Sequence, residues 1–382
     1  MDSKSIIKKI GKKILYSWYY LYMSVRLPIM YENAHRSGQL AYLSDKDFDA
    51  WMGAFQNLLK EHCRSNYGYK QRELLSAFPT ANIETVRRTD PGDPRLPIVV
   101  LCVKNDRRRI EMLVNHYREL GVVHFAFIDN GSTDGTLEWM LEQPDIDIYK
   151  TQDKYASLVK EAWINRIISM YGFDRWYIQT DSDELIKYIG MEDHNILDVV
   201  GFAERKGLDR LEAMTFDTYS ERGLFVHLEE GRYIEDEYCW IDTDSYEAQP
   251  KQVGCETIQW LTGGPRKRMM NVSTSLMKFP LVYFKRGTLS ANAHFLYPYQ
   301  EINESPCTLA IMHYKFLEED REEFARRAKS DSGFAFGGKY YQNYLQVGQD
   351  QATFMYEGSR KYIDSNSLNN MPFLQKMEFN EK

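Results

Sequence analysis

The chain has no CxxC pair, no internal repeat and no low-complexity tract, and nowhere does it carry the ~20 consecutive apolar residues that a membrane-spanning helix needs. Its five cysteines (Cys63, Cys102, Cys239, Cys255 and Cys307) are scattered and odd in number. That excludes a zinc ribbon or a disulfide scaffold and fits a reducing compartment. It also lacks an excess of positive charge. Lys and Arg total 48 against 55 Asp and Glu, a formal net charge of −7, which argues against the dense cationic footprint of non-specific nucleic-acid binding. Apolar residues are not scarce: 43% of the 382 residues are hydrophobic and 27% charged, enough for a substantial core. At ~150 residues per domain this length predicts two or three units, or one large α/β domain with appendages.

The first residues stand apart. Lys4, Lys8, Lys9, Lys12 and Lys13 precede the aromatic run ILYSWYYLYMSV at 14–25. A basic segment before an apolar one resembles a signal peptide, yet Arg26, Leu27 and Pro28 follow where small residues would mark a cleavage site. Two readings fit: a helix lying at a membrane interface as a peripheral contact, or a helix docked on the protein by its aromatic face.

Beyond it, Phe48, Trp51, Met52, Phe55, Leu58 and Leu59 recur at helical steps within 40–75, with Ser44 or Asp45 available as a cap. The stretch RRTDPGDPRLP at 87–97 has three prolines and a glycine, and reads as a domain boundary. After it, strands at 98–103, 122–128, 146–149 and 176–179 alternate with helices at 109–120, 136–141 and 154–170. That alternation predicts an α/β fold: a doubly wound, mostly parallel sheet with helices on both faces. Such sheets bind ligands at the carboxyl ends of their strands. Less regular strands follow over 211–296, then a charged helix at 318–329 and a Tyr-rich helical or irregular stretch at 340–362. The expected units are 1–95, a helical extension; 96–320, the α/β domain; and 321–382, a helical or irregular extension.

Two motifs sit at predicted strand ends. Asp129-Asn130-Gly131-Ser132-Thr133-Asp134-Gly135-Thr136 combines glycines for tight backbone with short polar side chains that cap helices. Alone, it is a well-capped turn. Thr180-Asp181-Ser182-Asp183-Glu184 places three carboxylates within four residues, a repulsive set unless something cationic sits among them. Mg²⁺ or Mn²⁺ fits, because hard divalent ions prefer carboxylate and phosphate oxygens. The bland alternative is a solvated acidic loop.

Taken together, these motifs resemble those of the family 2 glycosyltransferases of the nucleotide-sugar-binding GT-A fold, in a bacterial branch of that family. The resemblance runs from 99 to 189. Cys102-Val103-Lys104-Asn105-Asp106 is similar to the family's "RNE" segment, with Lys for Arg and Asp for Glu. The turn at Asp129 is similar to "DDGSTDGT", with Asn130 replacing the second acid, and Asp181-Ser182-Asp183 is similar to its "DxD" motif. Gly263-Gly264-Pro265-Arg266 and His313-Tyr314-Lys315-Phe316 extend the likeness to about residue 320.

The resemblance implies a metal-dependent transfer, inverting in stereochemistry, from a nucleoside diphosphate sugar (a UDP-sugar is favoured) to a glycan or lipid-linked acceptor. The bacterial likeness implies surface polysaccharide synthesis, in the cytoplasm at the inner face of the cytoplasmic membrane. Lys104, Asn105, Asp129, Asn130, Asp181 and Arg266 are the implied donor-binding residues. Asp181, Asp183 and His313 are the implied ligands of Mn²⁺ or Mg²⁺, which assists departure of the diphosphate as a Lewis acid. Lys267 and Arg268, beside Arg266, suit a phosphate clamp or a solvated turn equally. His294 has a weaker claim on phosphate or acceptor.

An inverting transfer needs a base for the acceptor hydroxyl. Asp217, after the predicted strand 212–216, is preferred over Asp242 and Asp244. Two competing enzyme classes fit less well. A haloacid-dehalogenase-type phosphatase wants Thr or Val where Leu185 stands, and a sugar nucleotidyltransferase wants a glycine-rich loop where 104–109 has no glycine. A non-catalytic glycan-binding relative would tolerate loss of acids that this chain retains.

Overall fold

A computed structural model of the chain describes residues 3–61, 71–253, 256–298, 307–329, 338–349 and 353–379; Cys63 and Cys255 lie outside them. Among the described residues, the helices Ser3–Arg36, Asp45–Glu61 and Arg72–Thr80 come first. The strands are β1 (Glu84–Arg87), β2 (Ile98–Val103), β3 (Phe125–Asp129), β4 (Ile146–Lys150), β5 (Arg175–Gln179), β6 (Glu184–Lys187), β7 (Arg210–Asp217), β8 (Trp240–Asp242), β9 (Tyr246–Val253), β10 (Glu256–Gly263), β11 (Met277–Phe284), β12 (Leu289–Asn292), β13 (Phe295–Tyr297), β14 (Leu309–His313) and β15 (Ser359–Lys361).

Among the described residues, nine strands form one sheet in the order β1-β4-β3-β2-β5-β11-β7-β14-β6. The pairs β4–β3, β3–β2, β2–β5 and β7–β14 are parallel. The edge strands β1 and β6 and the inserted β11 run antiparallel to their neighbours. The protein is thus mixed α/β with a large, mostly parallel central sheet, as the strand–helix alternation predicts.

The apolar runs reflect burial on both faces. In β2, Val99, Leu101 and Val103 belong to one apolar cluster with Ile110, Leu113, Val114, Val199 and Val200 from the helices Arg107–Glu119 and Ile196–Arg205. Ile98 and Val100 point the other way, into a cluster with Trp163 and Ile167 of the helix Ser157–Tyr171. A strand with helices over both faces has no side to leave polar, so IVVLCV is apolar throughout.

Described residues before 96 pack on the sheet. Strand β1 pairs with β4, and Leu27, Trp51, Phe55, Leu74 and Phe78 share the second apolar cluster with Val100 and Ile128 of the sheet. The proline-rich stretch leads from the edge strand β1 to the interior strand β2, and on the way the Asp93 and Gly92 carbonyls accept from the Arg175 guanidinium of β5. Its prolines mark a turn-rich connection, and the residues before it supply the apolar cover one sheet face needs. The chain beyond 320 is similarly joined: β15 pairs with β8, and Leu368, Met371 and Met377 pack into the first cluster. The expected stretch at 340–362 divides into the helix Lys339–Gln349 and β15.

Candidate metal and donor site

Sheet register assembles the site. Asp217 ends β7, His313 ends β14 and Glu184 begins β6. His313 is the register partner of Asp217 on one side and of Glu184 on the other. Three adjacent strands therefore set these residues in one row across the sheet. Asp183 immediately precedes Glu184, and its carbonyl accepts from the Tyr314 N–H at 2.8 Å, which fastens the acidic turn to the end of β14.

The side chains converge. His313 Nδ1 lies 2.6 Å from Asp217 Oδ1, and His313 Nε2 lies 3.1 Å from Asp183 Oδ2. One ligand atom from each of Asp183, Glu184 and His313 falls within 4.8 Å of the others. Lys315 Nζ stands 3.7 Å from Asp183. Lys278 Nζ donates to Glu184 at 2.6 and 2.8 Å and to Asp181 at 3.1 Å, while Lys160 Nζ donates to the other Asp181 oxygen at 2.8 Å.

These cations answer the repulsion among the carboxylates. Burial by itself would raise the Asp181 pKa, but Lys160 and Lys278 outweigh it and hold the carboxyl well below its ordinary range. Burial acts the same way on Asp183, and His313 with Lys315 reverses it. At His313 burial favours the neutral ring, and the nearby Asp183 overcomes that and raises the pKa.

A brace supports the motif. The Ser182 hydroxyl donates to Asp106, and burial lifts the Asp106 carboxyl above its usual range against the pull of Arg109. Arg109 also donates to the Tyr314 carbonyl at 2.8 Å and to Asp320. One buried guanidinium thus joins the loop after β2, the end of β14 and the helix Asp320–Arg327.

Of the implied metal ligands, Asp183 and His313 come together with Glu184. Asp181 faces the two lysines instead. Of the donor-binding residues, Lys104 and Asn105 are exposed on the loop after β2. Asn105 has φ 51° and ties two loops together, its Oδ1 accepting from the Thr133 N–H at 2.7 Å and its N–H donating to Ser132. Asp129 accepts from Gly131 and Ser132 N–H groups at 3.0 and 3.2 Å, so its carboxylate organises its own turn.

At three further positions the contacts are internal to the protein. Asn130 is buried and gives its amide hydrogens to the carbonyls of Thr151 and Asp153, which shapes the turn. Arg266 is buried with Nε 2.7 Å from Asp217 Oδ2, an internal ion pair in place of a mobile phosphate clamp. Asp217 has no exposed side-chain surface. Burial would raise its pKa, but Arg266 and His313 hold it down to about 2. With one oxygen on His313 and the other on Arg266, it is poorly placed to take a proton from an acceptor.

His294 Nδ1 donates to the Met277 carbonyl at 3.0 Å, and burial with nearby Lys278 lowers its pKa to about 3. Asp242 is buried between Arg268, Tyr219 and Ser245, whereas Asp244 is exposed beside Tyr356. Sequence reasoning missed Lys160 and Lys278 as members of the site. Their signal is a lone lysine inside apolar segments, SLVKEAW and MKFPLVYF.

No family model matches the chain, and no curated protein matches it. Its structure is similar to that of a mannosyltransferase from Pyrobaculum calidifontis in complex with GDP-Man and Mn²⁺, with a TM-score of 0.24 and 14% identity over 46% of each chain. That match spans less than half of the neighbour's length, and a likeness so slight carries no argument about function.

Proposed function

We propose that this protein is a glycosyltransferase that uses a divalent cation to bind a nucleoside diphosphate sugar. The observation that carries the reading is the convergence of Asp183, Glu184 and His313 at adjoining strand ends, within 4.8 Å. Two carboxylates and an imidazole suit Mn²⁺ or Mg²⁺. The contact behind the ring fits as well: Asp217 accepts from Nδ1–H, so a cation that displaced the Nε2 proton shared with Asp183 would meet the tautomer a ligand needs. When bound, the ion would neutralise the diphosphate leaving group.

The chain's own residues do the rest. Lys160 and Lys278 keep Asp181 ionised and oriented beside the ion site. The Asp129 turn and the exposed Lys104 and Asn105 form the neighbouring rim, where the base and ribose of the donor would lie. A UDP-sugar donor, a glycan or lipid-linked acceptor, inversion at the anomeric carbon and a role in bacterial surface polysaccharide synthesis belong to the same proposal, and rest on the motif resemblance. So does a place in the cytoplasm at the inner face of the membrane. For the proton-accepting role, Asp244 is favoured over Asp217, since it is the exposed acid of the three considered.

The test is thermal unfolding of the protein with a panel of nucleoside diphosphates, in Mn²⁺ or in EDTA, alongside Asp183→Asn. A ligand at ~100 times its dissociation constant stabilises by ~2.7 kcal/mol. One nucleotide should raise the midpoint only with metal, and the variant should lose the effect. No response to any nucleotide from folded protein would overturn the reading.

A further inference from the structure

The helix Ser3–Arg36 carries two apolar faces. Tyr16, Met23, Leu27, Tyr31 and Ala34 are buried, and from Met23 onward they belong to the cluster that also contains the helices Asp45–Glu61 and Arg72–Thr80. On the opposite side Ile10, Ile14, Trp18, Leu21, Val25 and Ile29 are more than half exposed, Trp18 by 70%. Steps of three and four residues keep these six in one stripe. At 1.5 Å per residue it runs for about 28 Å. A continuous apolar strip of this size on a surface calls for a covering.

Charge identifies that covering. Lys8, Lys9, Lys12 and Lys13 are all exposed at the N-terminal end of the helix. Before Glu32 the sequence holds six basic residues and one acid, Asp2, in a chain whose formal net charge is −7. This stretch is therefore net positive while the remainder of the chain is net acidic. An anionic surface would attract the helix and repel the rest, which sets a single orientation. A parallel pairing with a second copy would bring the lysine clusters side by side. Trp18 and Tyr22 suit the boundary between headgroups and acyl chains. No helix among the described residues is long and apolar enough to cross a membrane.

We infer that this helix is a two-sided adaptor: one face docks on the protein, and the other lies in the headgroup region of an anionic lipid bilayer. The inference deepens the membrane location proposed above but does not depend on the glycosyl transfer, so vesicle binding and nucleotide binding can fail separately.

The test is sedimentation of the full chain with vesicles of phosphatidylcholine, or of phosphatidylcholine mixed with phosphatidylglycerol, at low and high salt. Binding is expected with the mixed vesicles and should weaken in salt, since the lysine contribution is screened. A triple variant, Trp18→Ser, Leu21→Ser and Val25→Ser, should lose at least about tenfold in partitioning, because three exposed apolar groups no longer enter the interface. Circular dichroism and melting would show that the fold persists, as all three side chains are exposed. Absence of binding to either vesicle at low salt would overturn the inference. So would equal binding by the variant, or a concentration-dependent dimer that the triple variant abolishes while vesicle binding is unchanged.

Discussion

His313 and Asp217 are register partners on adjacent parallel strands, and their side chains meet with Nδ1 and Oδ1 2.6 Å apart. Residues 96 positions apart in sequence are thereby fixed by ladder hydrogen bonds as well as by their own contact. Asp217 in turn is held by Arg266, on the short helix Gly264–Met270. The relationship orients the imidazole toward Asp183.

Asp217→Asn should weaken Mn²⁺ binding by about 10–100-fold, the usual cost of disturbing a group that orients a ligand histidine. It should also destabilise the protein by about 3 kcal/mol, because Arg266 is left buried without its counter-charge. Asp244→Asn should leave metal affinity unchanged. Titration calorimetry and denaturant unfolding measure both, and an Asp217 variant with intact metal affinity would restore it as a candidate base.

Gly263 has φ 126°, and a Cβ there would lie 2.2 Å from the Ser245 carbonyl oxygen. Gly263→Ala should cost about 2–4 kcal/mol through backbone strain and overlap together. Gly287 also has positive φ, 92°, but has nothing within 4 Å. Gly287→Ala should therefore cost only about 1 kcal/mol, strain alone. Chemical denaturation of the pair separates the two contributions.

Burial pushes the Glu212 carboxyl up to about 7, against the contact with Cys307. The fold therefore favours the protonated form. That contribution is complete below the ordinary pKa of 4.5 and is lost as pH rises through about 7. Glu212→Gln should be more stable than the parent at pH 8, by about 1–3 kcal/mol, and no more stable at pH 4. Denaturant midpoints across that range give the answer.

A chain beginning at residue 96 should fail to unfold cooperatively. It would expose Ile98, Val100, Ala126 and Ile128, whose cover includes Trp51, Phe55 and Phe78. Circular dichroism on heating should show no sharp transition, whereas a self-sufficient domain would melt as the full chain does.

The central part of the fold was legible because its code is local. A strand buried on both faces must be apolar, so IVVLCV and FAFID read directly as strands. Turn chemistry marked where they end: Asp, Asn and Gly cluster after β3, and acids cluster after β5. Asp183 and His313 stand at strand ends as well, but their pairing as ligands rests on the motif resemblance. The proline-rich stretch was read as a boundary, since turn residues report a change of direction and not whether the flanking segments pack together.

Local pattern suffices for the strand–helix alternation, the acidic strand end and the basic character of the first helix. Which charges meet depends on how the strands are ordered. Lys160, Lys278, Arg266 and Asp217 come from distant elements, and sheet order alone brings β7, β14, β6 and β11 side by side. Local pattern carries no information about those pairings, because a strand's composition records that it is buried but not which neighbour buries it. Asp217 therefore looked like a free base at a strand end, until the fold placed Arg266 and His313 on its two oxygens.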